Sequence, residues 1–237
     1  MKNAAPGERT RGRPRSFDRE AALQRAIKVF WKHGYEATSI ADLTHAMGIN
    51  PPSLYAAFGD KEKLFMEAVD RYIEERRAAV ARAFEEPTAR RAVERWLTEA
   101  ANALARNGGP RGCLLVMSDT NCSTHSKHVQ TALACRRASM TKLLKSRIDR
   151  GVKEGDVPAG TDTAALSDFY SVVTQGMVML ARDRPSQKSL LAAVQAAMRA
   201  WPEDAASRLR RGRALRLRKG AARPLIRDRS LRGSLRT

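Results

Sequence analysis

Between Thr38 and Phe58 the chain reads TSIADLTHAMGINPPSLYAAF, a string that few backbones satisfy. Ile40, Leu43 and Met47 recur at i, i+3 and i+7, which places them on one face of a helix. Ser39, followed three residues later by Asp42, is an Asp version of the Ser/Thr-to-Glu/Gln capping box. Gly48 stands where a helix ends in a left-handed residue that a Cβ resists. Asn50 can cap a second helix, and Pro51 suits its first turn because the N–H it lacks would have had no partner there. Leu54 and Phe58, four apart, point back to the same small core. Helix, glycine turn and capped second helix are the parts of a helix-turn-helix, whose second helix enters a DNA major groove.

The flanks continue the pattern. Upstream lies an amphipathic helix with Ala22, Ile27, Phe30 and Trp31 on its apolar side, ended by Gly34. Downstream, Asp60 can cap a helix carrying Leu64, Phe65, Ala68, Val69 and Tyr72. Together, GRPRSFD, FWKHGYEATSI, GINPPSLYAAF and GDKEKLF resemble the N-terminal domain of TetR/AcrR-type bacterial transcriptional regulators. The resemblance runs from Gly12 to Tyr72 without an internal gap; beyond it the likeness is one of helical character only. It implies a DNA-binding domain over residues 16–62 and an effector-binding and dimerisation domain over 63–202. A basic arm (1–15) and a basic tail (203–237) flank them.

Charge is distributed unevenly. Of the net +19, residues 1–15 supply +4 and residues 203–237 supply +9, which leaves +6 for the body between them. The arm sets Arg9, Arg11, Arg13 and Arg15 among prolines and glycines, a composition that reads as flexible chain. Guanidinium groups on such an arm can follow phosphates or enter a narrow minor groove, where the negative potential is strongest. A plain solvated tail is the bland alternative. The Arg-, Leu-, Ala- and Gly-rich run from Ala205 onward has no apolar stripe long enough to pack. Non-specific DNA contact, membrane-surface or RNA contact, and the absence of a selected function stay open for it, the last being preferred. No window approaches the roughly 20 apolar residues that span a bilayer, and no apolar stretch follows the basic start as in a signal peptide. Three cysteines without export signals point to thiols in a reducing cytoplasm rather than a disulfide framework.

Within the helix-turn-helix, roles divide by chemistry. Thr38 and Ser39, at a helix start, offer hydroxyls and backbone N–H groups suited to a phosphate. By resemblance, Tyr55 takes the place of the family's phosphate-contacting tyrosine, and Lys61 that of its lysine at the start of the fourth helix. Base reading is expected from the outer side of the helix that Pro51 opens: Pro52, Ser53 and Ala57, with Asn50 at its mouth. No Arg or Gln stands there for bidentate base contacts, so thymine methyls and DNA shape would share the specificity. Pro52 departs from the Gly or Ala common in the family. His33 and His45 read as exposed or capping residues.

The remaining chain is helical by pattern, with a fourth helix from Lys61 to about Phe84. Others are expected near 89–106, 113–119, 126–150, 162–184 and 187–200, with Gly151 and Gly155 stopping the third of these. With no alternating period-two run, the fold class is all-α: a three-helix N-terminal helix-turn-helix domain followed by a larger helical bundle, about nine helices in total. Leu166, Leu180, Leu191, Val194, Met198 and Trp201 lie on wide apolar faces of the last two helices. One bundle can use such faces internally; the resemblance implies instead a four-helix interface with a symmetry mate. A twofold homodimer suits half-sites about one DNA turn apart. Gly176, in mid-helix, costs roughly 1 kcal/mol relative to Ala unless close approach or pocket space requires it.

Trp96, Cys113, Met117, Phe169, Tyr170, Val173 and Met177 are candidate walls for a small apolar or amphipathic effector, although each also reads as core. Cys113, Cys122, His125 and His128 could supply soft ligands to Cu(I) or Zn(II), or a thiol among them could sense oxidants. An exposed loop with a thiol is the plainer alternative, and no metal or cofactor is assigned. Cys135, among Ala and Leu, reads as core. With no G-x-S-x-G, G-x-x-x-x-G-K-[ST] or H-E-x-x-H motif, no enzyme is expected. The expectation is a homodimeric repressor, released from double-stranded operator DNA when an effector favours a conformer with the fourth helix swung. Two alternatives are a thiol- or metal-responsive regulator of the same fold and an effector-independent DNA-binding protein.

Overall fold

The computed structural model describes residues 17–106, 110, 112–118 and 126–203. Among them the chain forms nine α-helices and no strand, in agreement with the all-α expectation. The helix-turn-helix region comprises α1 (Arg19–His33), α2 (Ile40–Met47) and α3 (Pro51–Phe58). Then follow α4 (Lys61–Phe84), α5 (Ala89–Ala105), α6 (Leu114–Met117) and α7 (Lys127–Glu154). The last are α8 (Thr163–Leu180), extended by a 3-10 turn (Ala181–Asp183), and α9 (Gln187–Met198). Local chemistry sets most of these starts. Asp18, Ser39, Asn50, Asp60, Thr88, Asp162 and Ser186 each accept a backbone N–H of the first turn, answering donors that a helix leaves without an internal partner.

Two apolar clusters divide the interior. The first gathers α1, α2, α3 and the opening half of α4 around Phe30, Leu43, Leu54 and Phe65, and does not stop there: Leu114 and Leu115 of α6 and Val129 and Leu133 of α7 belong to it. The second joins Ala83 of α4 with α5, the far half of α7, α8 and α9 around Trp96, Leu97, Leu144, Ile148, Tyr170 and Met177. Both α4 and α7 therefore run through the two clusters. Where α4 ends, Arg147 of α7 donates from Nε to the Phe84 carbonyl (3.0 Å) and from Nη2 to the Glu86 carbonyl (2.8 Å). Arg150 Nη2 adds a further bond to Phe84 O at 2.9 Å. These guanidinium groups satisfy carbonyls that the helix end exposes, and their charge suits the negative end of its dipole.

Several boundaries differ from the sequence expectation. α7 does not stop at Gly151 but continues to Glu154, and the left-handed Gly155 ends it. Gly151 is a crossing point rather than a terminator. A Cβ there would lie 2.6 Å from Ala89 Cβ and 2.9 Å from Val157 Cγ2, with the Asp156 carboxylate closer still. Asp156 Oδ2 in turn accepts the Ala89 N–H at 2.8 Å, which seats the start of α5 against α7. α8 ends at Leu180 instead of near Arg184, because the chain tightens into the 3-10 turn and Arg184 closes it with a φ of 54°. Cys135 is exposed, not core. The buried residues of α7 nearest it, Val129 and Leu133, leave position 135 on the opposite side of the helix.

Gly151→Ala tests the crossing. Helix propensity alone favours Ala by about 1 kcal/mol, but overpacking costs about 1–3 kcal/mol and more when several contacts clash. The expected outcome is a net loss of stability, read as a lower urea midpoint at unchanged slope.

Candidate nucleic-acid interface

In the helix-turn-helix, α2 supplies the platform and α3 the exposed element. Leu43 and Met47 face the first cluster, Gly48 turns the chain with a φ of 72°, and Asn50 Oδ1 accepts the Ser53 N–H at 2.8 Å to start α3. Arg25 Nη1 on α1 donates to the Met47 carbonyl at 2.9 Å, closing the end of α2. Leu54 and Phe58 anchor α3 from below. Pro51, Pro52, Tyr55 and Ala56 face solvent, while Ser53 and Ala57 are half-buried. Ala57 packs against the first cluster and its carbonyl accepts from Arg19, so it sits on the flank of the outward row rather than in it. Ala56, four residues after Pro52, occupies the place expected of Ala57. Helical spacing from the buried Leu54 and Phe58 was the signal that could have located it.

The phosphate candidates separate. Tyr55 is 49% exposed and free to reach outward. Lys61 is half-buried: its Nζ lies 4.5 Å from the Tyr35 ring centroid and donates to the Glu36 carbonyl at 3.4 Å. Burial holds its pKa below the usual lysine value. Thr38 is buried and its hydroxyl donates to Gly34 O at 2.6 Å, so that hydroxyl braces the corner after α1 instead of meeting a phosphate. Ser39 is exposed, yet its hydroxyl donates to Asp42 Oδ2 at 2.6 Å and accepts the Asp42 N–H at 3.1 Å. Asp42 Oδ2 also accepts the Ser39 N–H at 2.9 Å, completing the capping box. A carboxylate thus occupies the helix start where an anion was expected. Arg11, Arg13 and Arg15 lie outside the described residues, as do Cys122, His125 and the tail from 204.

The effector candidates do not converge on one place. Trp96, Tyr170, Val173 and Met177 share the second cluster. Phe169 points outward, edge-on to Tyr170 with ring centroids 5.0 Å apart. Cys113 is half-buried against the first cluster, and Met117 lies beside Gly112. Burial, and then the adjacent Cys113 thiol, push the Tyr72 hydroxyl far above its ordinary pKa. Of the dimer candidates, Val194, Met198 and Trp201 are buried in the subunit's own second cluster, which corrects their expected outward role. Leu166 and Leu191 are half-buried against it. Leu180 is exposed, in a row with Phe169, Val172, Gly176 and Met179 along the outer side of α8. Periodicity alone does not single out Val172 and Met179, because α8 is apolar on more than one side and the pattern does not say which side is inside. Among the described residues, no group of three His, Cys, Asp or Glu side chains is placed to hold a metal ion. No described helix is long and apolar enough to cross a membrane.

Comparison with known proteins agrees with this geometry. Residues 22–68 match the family model described as bacterial regulatory proteins, tetR family, and residues 89–197 that of the tetracyclin repressor-like C-terminal domain. The HTH-type transcriptional repressor ComR of Escherichia coli K12 is 37% identical over 198 residues, covering 83% of this chain and 94% of ComR. BdcR, a second HTH-type transcriptional repressor of that strain, is 31% identical over 78% of this chain and 89% of its own. Among solved structures, a cysteine mutant of the TetR family transcriptional regulator CifR, complexed with 26-bp double-strand operator DNA, superposes with a TM-score of 0.78. It is 44% identical, covering 81% of this chain and all of the CifR chain (100%).

Ser39→Ala removes both hydroxyl bonds of the capping box and is expected to lower the unfolding free energy by about 1 kcal/mol in urea at neutral pH. The Ser39 hydroxyl, and then its backbone N–H, hold the Asp42 carboxyl below its ordinary pKa. A depressed carboxylate adds stability above its unfolded-state pKa and loses it as pH falls through the lower folded-state value. The gap between native and Ser39→Ala protein should therefore narrow in acid.

Proposed function

The chain belongs to the TetR family of bacterial regulatory proteins, and from that premise we propose that it is a homodimeric, sequence-specific DNA-binding transcriptional regulator acting as a repressor in the cytoplasm. The observation that carries the reading is α3, a capped helix of 8 residues held from below by Leu54 and Phe58 that turns Pro51, Pro52, Tyr55 and Ala56 outward. The operator-bound CifR structure and the repressors ComR and BdcR support it. α3 enters the major groove of operator DNA. Its outward row lacks charge, so affinity comes from phosphate contacts by Tyr55, Lys61 and the arginines of the arm, and specificity from thymine methyls and DNA shape.

Two copies join through α8 and α9. The outward row of α8 is apolar, and a Cβ at Gly176 would meet nothing within 4 Å in the single subunit. A mid-helix glycine with no neighbour of its own is accounted for by a partner helix lying against it. A small apolar or amphipathic effector acts from the C-terminal bundle by population shift. It favours a conformer in which α4, common to both clusters, tilts and changes the separation of the two recognition helices. A second reading, control through a thiol, is favoured by Cys113. It packs against the first cluster and against Tyr72 of α4, where a modified sulfur would press on the same helix.

The test is selection of duplexes from a random-sequence pool by the native protein, followed by anisotropy titration; failure to enrich any sequence over background would end the proposal. Tyr55→Ala is expected to weaken enriched and scrambled duplexes alike. Lys61→Ala should reduce the slope of log K against log salt by about 1. Val172→Glu lies at a site 67% exposed in the subunit, where a surface change ordinarily stays within about 0.5 kcal/mol. In a dimer it buries an unpaired charge, so sedimentation should show monomer and operator binding should fall with it.

A further inference from the structure

α1 and α4 are linked on their polar sides by three contacts: Arg19 with Glu67, Glu20 with Arg71 (2.8 Å), and Gln24 with Glu75 (2.5 Å). Among the described links, Arg19 is the one that also reaches α3. Its guanidinium is a fork on the Glu67 carboxylate, Nη2 to Oε2 at 2.6 Å and Nη1 to Oε1 at 2.5 Å. Nε and Nη2 both point at the Ala57 carbonyl, at 3.4 Å each, in the last turn of α3. The same group lies 4.4 Å from the centroid of the Phe58 ring, covering the residue that anchors that turn. One side chain thus closes the negative end of the recognition helix, roofs its anchor and ties both to the second turn of α4. Arg19 is also the first residue of α1, directly after the Asp18 cap.

We propose that Arg19 and Glu67 form a positioning pair that sets the recognition helix against α4, so that operator DNA meets α3 in register and a tilt of α4 is passed to α3 without slack. This rests on the DNA-binding reading above. Arg19 acts through Ala57 and Phe58, not by contact with a base. A planar, bidentate fork is needed, and the point charge of a lysine cannot reproduce it.

The prediction has a sign that simple electrostatics would not give. Removing a carboxylate from a DNA-binding head favours binding to any duplex, because less negative charge opposes the phosphates. If Glu67 instead positions α3, the isosteric Glu67→Gln should lose about tenfold on the enriched duplex while binding a scrambled duplex of equal length as well as, or better than, native protein. Arg19→Lys should show the same split, with the loss confined to the enriched duplex. Circular dichroism and urea midpoints establish that the proteins compared are folded; should Arg19→Lys lose helicity, Glu67→Gln decides alone, since the amide keeps the side chain's shape. Unchanged or tighter binding of Glu67→Gln to the enriched duplex overturns the proposal, and so does an equal loss on both duplexes. A native protein that enriches nothing removes the DNA-binding reading and this proposal with it, and is told apart by needing no variant.

Discussion

Phe65 of α4 is the residue on which the exposed head depends. Its ring meets Phe30 of α1 edge-on at 4.9 Å and Tyr35, in the corner after α1, at 5.0 Å. Around these rings close Leu43, Leu54 and Phe58. Aromatic pairs of this kind hold more strongly than their buried area alone implies. α3 needs such a foundation, because a helix of 8 residues is not stable by itself in water. Its caps decide where it begins and ends. Only burial of Leu54 and Phe58 makes it exist, and the outward row of α3 is a by-product of that burial.

The head is joined to the rest of the chain less by surface charge than by shared core. Ser126 Oγ donates to Glu36 Oε2 at 2.6 Å, His128 Nε2 lies 2.8 Å from Glu62, and Arg136 donates to Asp70 at 2.8 Å, so the start of α7 is strapped along the head. In each of the last two pairs at least one partner is exposed to solvent, so each contributes little. Val129 and Leu133 of α7, fully buried with the head residues, carry the attachment. Because α4 and α7 each cross from one cluster to the other, the two clusters are coupled by the stiffness of two helices.

Much of the head was legible in the sequence because its signals are local. Ser39 with Asp42, Gly48, Asn50 and Asp60 act over three or four residues, and all appear in the structure as caps or as the turn. What stayed hidden depends on which side of a helix meets a distant neighbour. Gly151 carries the same residue type as Gly155, yet one is pressed by Ala89 from across the fold and the other stands in the open with a φ of 81°. Val194, Met198 and Trp201 read as a face for a partner, but α5 and α8 cover them first. Thr38 offered a hydroxyl to solvent on paper, and the carbonyl of Gly34 took it. Arg19 was unremarkable in the sequence, since its three partners come from positions 57, 58 and 67.

The arginine contacts at the end of α4 have a mechanical consequence. With Phe84 and Glu86 tethered to α7 by Arg147 and Arg150, that end would serve as a fulcrum in the proposed tilt, with the head, and the start of α7 attached to it, at the far end. At 1.5 Å per residue, α4 gives an arm of about 35 Å from Phe84 to Lys61. A rotation of only about 5° at the fulcrum carries Lys61 through about 3 Å. In the proposed symmetric dimer, opposite displacements of the two heads would add and be felt against a groove repeat of about 34 Å. Under that proposal, a small rearrangement beside Arg147 would be magnified at the far end of α4 without any bending of the helix in between.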